Sequence, residues 1–332
     1  MLPVLFRFPS KILFAVTILL ALGIFVTKRV GWSARGGKGR SSLYLLAGAW
    51  YLLWSQGNSV LPSPAVLRAP WDPITIYSYT LMLGLALVSG WFLAMRFARQ
   101  DGLPVEYAGK LYLWTTVGAF LGARILYLVT VYREFESVLD PALLTRGGLV
   151  AYGGMLGGLL VSGYLCWKWK IRFLRWADAV TPSVLLGTAI TRLGCFLFGC
   201  DFGRRATVPW AIRFPAQSPA WVEHVAKHQL SDTAPWSFPV HPTQLYESLA
   251  GLVLFVWLLL LRRSRPFCGR LFVAWVAGYG VLRSIIEIYR GDSDRGSLGP
   301  LSTSQIIGVL SSLAAIGLLF SLIRRHRGDP FS

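Results

Sequence analysis

Three arginines lie inside apolar stretches of the chain: Arg124, Arg192 and Arg283. A charged side chain within a bilayer costs roughly 2.5–3.5 kcal/mol before it is paired, so each of them should have a partner or a function. Counted at about 1.5 Å per residue from the predicted helix ends, all three fall in the same half of the membrane. Guanidinium groups bind phosphate through parallel hydrogen bonds. The pattern therefore predicts a cationic site for a phospholipid headgroup.

The acidic residues near these arginines are unevenly distributed. Glu287 follows Arg283 at i+4, which places an ion pair on one helix face, so Arg283 is equally compatible with a structural and a functional role. Arg124 and Arg192 have no acidic residue at i±3 or i±4. An anionic ligand is the simpler interpretation for both, and an acidic partner from another helix is the alternative. Asp201 follows at the predicted rim of the membrane and is open to a role as a base or as a helix cap.

The stretch RLGCFLFGCDFGR, which begins at Arg192, is rich in small residues. On a regular helix Cys195 and Gly199 share the face of Arg192, and Gly199 and Gly203 would let the backbone approach a ligand closely. Cys195 and Cys200 would point about 140° apart. A disulfide between them would require the turn to unwind, so packing of small residues is the simpler interpretation.

The elements that carry these residues are predicted to be membrane-spanning helices. Of the 332 residues, 54% are hydrophobic and only 14% charged, against about a quarter charged in soluble domains. Apolar blocks of about 20 residues are long enough to cross a bilayer. They predict an all-α, polytopic fold of about nine helices: 12–27, 42–61, 74–95, 111–131, 149–167, 178–200, 249–261, 271–288 and 303–323.

The net charge of +18 follows the predicted membrane topology. One alternating set of loops holds 19 Lys and Arg in 57 residues, and the other set holds 11 in 102. Positive charge collects on the cytoplasmic side, so the N-terminus and the arginines are predicted on the outer side, and no nucleic acid partner is expected. The stretch 12–27 also resembles a cleaved signal peptide, but no small-residue cleavage pattern follows it, and a retained helix is favoured.

The chain divides into an added module and a main membrane domain. Residues 1–73 predict a two-helix extension for anchoring or packing, and 74–332 a seven-helix membrane domain. The longest loop, 201–248, contains Trp and Pro residues and predicts a small ordered head on the outer surface. Cys166 and Cys268 have no second cysteine or histidine at metal-ligand spacing, so no metal site is expected.

Glycines recur at small-xxx-small spacing in two predicted helices. Gly118 and Gly122 form one such set, and Gly153 and Gly157 form another. This spacing favours close helix packing. The density of RGGLVAYGGMLGG also allows broken or re-entrant backbone beside a polar cavity.

Five motifs in order resemble the bacterial prolipoprotein diacylglyceryl transferase family over roughly 74–325. They are GARILY (122–127), GGLVAYGG (147–154), RLGCFLFGCDFGR (192–204), HPTQLYE (241–247) and YGVLRSIIEIYR (279–290). The resemblance implies transfer of the diacylglyceryl group of phosphatidylglycerol to the lipobox cysteine of a prolipoprotein signal peptide. It places that reaction at the outer face of the inner membrane, within the lipid bilayer and without a cofactor.

The candidate site residues come from two sources. The resemblance assigns roles to Arg192, Arg283, Glu247, Gly203, Glu287 and Arg290, and the charge, geometry and chemistry of the sequence add the others. The catalytic candidates are Arg192, Arg283, Tyr152, Glu247 and His241. The candidates for binding the lipid substrate are Arg124, Gly194, Cys195, Gly199, Gly203, Arg204, Glu287 and Arg290.

Three positions depart from the family's pattern. Tyr152 stands where well-known members carry histidine, and Cys195 and Cys200 replace an asparagine and a glutamate. A thiol attacks as the thiolate, so the reaction needs a base or a strong field. Tyrosine, with a reference pKa of about 10, is a poor base unless neighbouring cations lower it. His241 is open to a role as base or as structural hydrogen-bonder, and Glu247 to proton transfer or ion pairing.

Two other classes of function are compatible with the sequence. A non-catalytic phospholipid-binding or assembly paralogue would keep the phosphate-binding arginines and lose the proton-handling residues. A transporter is disfavoured, because no internal repeat is visible and the charges lie in one leaflet.

Overall fold

The computed structural model describes residues 4–8, 74–131, 148–264, 268–291, 297–298 and 301–328. The predicted spans 12–27 and 42–61, which are the two helices of the predicted N-terminal module, lie outside the described residues.

Helices dominate the described part of the chain, as the apolar blocks predict. In chain order the elements are β1 (Val4–Phe8), β2 (Ile74–Tyr77), α1 (Ser78–Gln100), α2 (Val105–Val131), α3 (Ala151–Lys168), α4 (Phe173–Phe198), α5 (Pro219–Ala226), α6 (Thr243–Arg263), α7 (Arg270–Glu287), β3 (Ser297–Leu298), β4 (Leu301–Ser302) and α8 (Thr303–Gly328). Strand β1 pairs antiparallel with β2, and β3 with β4. The seven long helices coincide with the seven predicted spans from residue 74 onward, apart from shifted ends.

Five helices in the described ranges are long and apolar enough to cross a membrane: α1, α2, α4, α6 and α8. Large apolar side chains such as Phe92, Leu249 and Leu313 stay exposed on them, as expected where lipid tails are the surroundings. The chain is therefore a helical, multi-pass membrane protein. The predicted number of nine spanning helices is not confirmed.

The described residues form two compact units. Of the described residues, the first unit takes 81–108 and those from 166 to 328, and the second takes 4–8, 74–80, 109–131 and 148–165.

In the second unit, glycines let α2 and α3 pack closely. A Cβ atom on Gly118 would lie 2.9 Å from the Cβ of Val161, and one on Gly157 would lie 3.0 Å from the Cα of Gly122. These distances are too short for carbon contacts, so the close packing predicted for these glycines is confirmed. Gly153 lies within the regular helix α3, and the alternative of broken backbone at this position is wrong.

In the first unit, α4, α6 and α7 pack against one another, and α8 packs on α7. Four leucines are fully or almost fully buried between α4, α6 and α7: Leu185, Leu254, Leu258 and Leu271. This apolar contact fixes the three helices whose ends carry most of the predicted site.

The predicted head region folds around its own small core. Its buried side chains are Phe202, Phe214, Ala220 and Val240. Ser218 caps α5 by accepting a hydrogen bond from the backbone N–H of Trp221. The expectation of ordered structure here is confirmed. The region ends at residue 242, because α6 begins at Thr243, earlier than the sequence pattern indicates.

Candidate active site

The end of α4 reverses the chain and brings its next residues back toward the helix. Gly199 adopts a left-handed conformation with φ of 87°, which costs glycine little. The backbone N–H groups of Gly199 and Cys200 donate to the carbonyl of Cys195 at 2.8 and 3.2 Å, a helix-capping turn. Asp201 follows, also with positive φ, at 56°. Its carboxylate thereby returns to the helix that carries Arg192.

Arg192 is paired with two carboxylates. Its Nη1 lies 2.6 Å from Oδ2 of Asp201, and its Nε contacts the carboxylate of Glu247 on α6. The structure shows the alternative that the sequence left open, an acidic partner from outside the Arg192 helix face. Spacing of three or four residues covers neighbours on the same helix only, whereas these partners come from the capping turn and from another helix.

Glu247 joins the arginines of two helices. Besides Arg192 it contacts Arg283 on α7, and Arg283 also lies 3.1 Å from Glu287 at i+4. The ion pair predicted from that spacing is confirmed. The side chains of Glu247 and Glu287 are 4% and 1% exposed, so these charges are held away from the surroundings.

Arg290, just after α7, completes the arrangement. Its Nη2 lies 2.6 Å from Oδ1 of Asp201, and its Nη1 lies 3.8 Å from Glu247. We call the following six residues the arginine cluster: Arg192, Arg283, Arg290, Asp201, Glu247 and Glu287. Three guanidinium groups and three carboxylates cancel in formal charge within it.

The cluster is exposed at one edge. The side chains of Asp201 and Arg192 are 32% and 19% exposed, whereas that of Arg290 is 5% exposed. Burial raises the pKa of Asp201, but the guanidinium groups of Arg192 and Arg290 outweigh it and hold the pKa well below its usual range. Asp201 is therefore a charged carboxylate at neutral pH and lies where a second anion could reach the same arginines.

Two predicted lipid-facing glycines face the protein instead. A Cβ atom on Gly199 would lie 3.1 Å from the ring of Phe214. One on Gly203 would lie 2.5 Å from the carbonyl oxygen of His241 and 2.8 Å from that of Tyr289. Other segments of the chain fill the space beside both glycines, which accounts for the absence of a side chain at these positions. A role for them in binding the lipid stays a prediction.

Other predicted lipid-binding residues in this unit support the same framework. Nε of Arg204 donates to the carbonyl of Arg290 at 3.1 Å, which ties the start of the head to the segment after α7. Gly194 and Cys195 are buried in α4.

Arg124 and Tyr152 belong to the second unit. Nη1 of Arg124 donates to the carbonyl of Gly148 at 3.1 Å, and its guanidinium lies 5.3 Å from the ring centroid of Tyr127. The hydrogen bond to Gly148 holds the residues before α3 against α2. Arg124 is thus contacted by a backbone carbonyl and an aromatic ring, although its own helix has no acidic residue at i±3 or i±4. Tyr152 is half-buried in the first turn of α3.

His241 is held in an aromatic hydrogen-bonded set. Its Nδ1 lies 3.1 Å from the hydroxyl of Tyr246, which also accepts from Nε1 of Trp210 at 2.7 Å. The His241 ring packs against Tyr289, with centroids 5.2 Å apart. This geometry matches the structural hydrogen-bonding role that the sequence left open.

The first turn of α6 contributes two residues that sequence reasoning missed. Nε2 of Gln244, which is fully buried, donates to the carbonyl of Cys200 at 2.5 Å. Oγ1 of Thr243 donates to the carbonyl of Asp201 at 2.8 Å. Both fix the capping turn against α6. The available signal was the HPTQLYE motif, which places two polar side chains within one turn before Glu247.

The two cysteines of this turn lie side by side. A sulfur of Cys195, a sulfur of Cys200 and a carboxylate oxygen of Asp201 lie within 4.8 Å of one another. The estimate that the cysteines diverge by about 140° is wrong, because it assumed a regular helix and Gly199 ends that helix before Cys200.

The fold and the site define a multi-pass membrane protein with a charge-balanced arginine cluster where three packed helices end. The family model of prolipoprotein diacylglyceryl transferase matches residues 65–321. The chain belongs to this family and is a transferase, which confirms the resemblance carried by the five motifs.

Similar proteins from three bacteria bear the name phosphatidylglycerol–prolipoprotein diacylglyceryl transferase. The protein of Clostridium tetani is 31% identical over 257 residues, which cover 76% of this chain and 95% of the relative. That of Thermosynechococcus vestitus is 33% identical over 261 residues, 77% of this chain and 91% of the relative. That of Erwinia tasmaniensis is 34% identical over 267 residues, which cover 76% of this chain and 90% of the relative.

Proposed function

We propose that this chain transfers the diacylglyceryl group of phosphatidylglycerol to the lipobox cysteine of prolipoproteins. The observation that carries the proposal is the arginine cluster with its exposed Asp201–Arg192 edge. The names of the relatives supply the substrates.

The lipid phosphate binds by replacing the carboxylate of Asp201. That carboxylate accepts from Nη1 of Arg192 and Nη2 of Arg290, and a phosphate offers two oxygens in a similar arrangement. Asp201 is the most exposed carboxylate of the cluster, so it is the one that an entering anion displaces. Glu247 and Glu287 stay in place and orient Arg283.

In the reaction, the cysteine sulfur attacks the glycerol carbon that bears the phosphate ester. A carbon–sulfur bond forms, the carbon–oxygen bond breaks, and glycerol phosphate leaves with the bonding electron pair. Arg192 and Arg283 stabilise the charge that develops on this leaving group.

Elimination leaves two candidates for the base that removes the thiol proton. The carboxylate of Glu247 is engaged by Arg192 and Arg283, so we assign Glu247 to positioning those arginines. The two oxygens of Asp201 are likewise engaged, by Arg192 and Arg290. Tyr152 and His241 are then the candidates for the proton acceptor.

The proposed location is the bacterial inner membrane, with the head and the arginine cluster at its outer face. The loop charges support this orientation.

The orientation is tested with two single-cysteine variants in which the native cysteines are replaced. Thr233→Cys lies in the head and Ser264→Cys lies beyond α6, and both positions are exposed. An impermeant maleimide should label the first in intact cells and the second only after lysis. The reverse pattern contradicts the location.

The proposed activity is tested by complementation. The chain is expressed in a bacterium depleted of its own transferase, and a reporter lipoprotein is analysed by mass spectrometry. Growth with a diacylglyceryl thioether on the reporter supports the proposal. Stable, inserted protein with no thioether, together with binding of phosphatidylglycerol vesicles, would instead identify a non-catalytic lipid-binding paralogue.

A further inference from the structure

Two thiols at the end of α4 form a dithiol pair that the proposed transfer reaction does not use. Cys195 is buried, Cys200 is partly exposed, and both are free thiols. The capping turn brings them together, since the N–H of Cys200 donates to the carbonyl of Cys195 at 3.2 Å. Helix caps of this kind bring the side chains before and after the turn into contact.

We propose that Cys195 and Cys200 form a reversible disulfide that closes the capping turn of α4. The nearby carboxylate makes a metal ion the competing occupant, because its oxygen lies within 4.8 Å of both sulfurs. However, the two oxygens of Asp201 are already 2.6 Å from nitrogens of Arg192 and Arg290. A metal ion would have to break one of these ion pairs, whereas a disulfide leaves both intact.

The difference in exposure gives the reaction an order. The oxidant is a low-molecular-weight disulfide such as glutathione disulfide. The thiolate of Cys200 attacks one of its sulfurs, which forms a mixed disulfide and releases one glutathione thiolate. The thiolate of Cys195 then attacks the sulfur of Cys200 and releases the second glutathione. The two protons lost by the cysteines end on the two glutathione molecules, and the protein is oxidised by two electrons.

The disulfide would act on the turn that carries Asp201. A covalent link across this turn holds the backbone of Asp201 against the end of α4, where Arg192 lies one turn away. The carboxylate then leaves the guanidinium groups less readily. Oxidation is therefore expected to slow backbone opening between residues 199 and 204, whatever reaction the cluster serves.

The test uses the full chain in detergent at a series of glutathione disulfide to glutathione ratios, with rapid alkylation, proteolysis and mass spectrometry. The expected product is one peptide in which Cys195 and Cys200 are linked, two hydrogens lighter and unalkylated, and restored by dithiothreitol. Hydrogen exchange of the same peptide should be slower in the oxidised protein.

Two variants check the order of the steps. Cys195→Ser should accumulate glutathione on Cys200, and Cys200→Ser should leave Cys195 unmodified until the protein is unfolded. A wild-type chain that keeps glutathione on Cys200 without the internal link would overturn the proposal. So would a chain whose Cys268 is modified while both Cys195 and Cys200 stay reduced.

Discussion

The two ends of helices α4, α6 and α7 hold charged residues in different ways. At one end Arg262 of α6 binds Asp101 at 2.7 Å and the carbonyl of Phe97 at 3.2 Å. Its guanidinium also lies 4.1 Å from the centroid of the Phe97 ring. The Arg262 and Asp101 side chains are 7% and 4% exposed. This pair is closed on all sides.

The same end holds a second fixed contact. The carboxylate of Asp178 on α4 accepts hydrogen bonds from the backbone N–H groups of Gly269 and Phe272, at 2.7 and 3.0 Å. These N–H groups belong to the start of α7, where a helix leaves its first donors without internal partners. Asp178 therefore caps α7 from a neighbouring helix.

At the opposite end, the arginine cluster shares its charges. Glu247 contacts Arg192, Arg283 and Arg290, and Asp201 at its exposed edge contacts two of these. A charge with one buried set of partners fixes the position of helices. In a set of shared charges with an exposed edge, an entering anion can take the place of a partly exposed carboxylate, and the arginines stay paired. The end with Arg262 and Asp178 is therefore structural, and the opposite end is the one to which we assign the proposed reaction.

The largest effect is expected from removing an arginine of the cluster. Arg192→Ala and Arg283→Ala should each lower lipid transfer by about 10²–10³-fold, the usual loss when a group that stabilises the leaving charge is removed. Transfer is measured on membranes with phosphatidylglycerol and a lipobox peptide, at equal amounts of inserted protein. Activity near that of the wild type in either variant would contradict the proposed role of that arginine in stabilising the leaving group.

The closed pair should affect stability rather than turnover. Asp101→Asn removes a buried ionic hydrogen bond and should lower the free energy of unfolding by about 1.5–3 kcal/mol. Thermal unfolding in detergent measures this change. Transfer per folded molecule should stay at the wild-type value. A loss of turnover at equal folded protein would show that this end also takes part in the reaction.

At the exposed edge of the arginine cluster we expect a smaller effect, and one that improves the use of the lipid substrate. Asp201→Asn removes the anion that competes with phosphate and should lower the KM for phosphatidylglycerol by up to about fivefold, the range of a partly exposed ion pair. Burial raises the pKa of Asp201, but Arg192 and Arg290 outweigh this effect and hold that pKa well below its usual range.

That low pKa fixes the expected pH dependence. The carboxylate contributes stability above its unfolded pKa of about 3.9, and the contribution is lost only as pH falls through the lower folded value. The decrease in KM caused by Asp201→Asn should therefore be the same at pH about 6 and about 8, because the wild-type carboxylate is charged at both. An increased KM would mean that Asp201 positions the arginines instead of competing for them.

The smallest change is expected at Tyr152. In the proposed reaction the arginine cluster binds the phosphate and another residue takes the thiol proton, and the resemblance to the family implies histidine at this position. Tyr152→His should therefore retain or raise transfer, assayed as above with the pH profile recorded. An inserted variant without activity would show that this position is built around tyrosine.

The sequence by itself determined the local features of this protein. Continuous apolar runs predicted seven of the observed helices, because a helix in lipid must satisfy its backbone within one segment. The i+4 spacing gave the Arg283–Glu287 pair, and small-xxx-small spacing gave the packing of α2 on α3. The motifs gave the family, since they are read in order along the chain.

Only the tertiary structure decided which side chains pair with one another in the arginine cluster. The partners of Arg192 lie nine residues away across a left-handed glycine and on a different helix, Glu247 of α6. Periodicity within a helix carries no information about either. For the same reason the approach of Gly203 to His241 and the meeting of Cys195 with Cys200 were not predictable, because both depend on where the chain turns at Gly199 and what then packs against it.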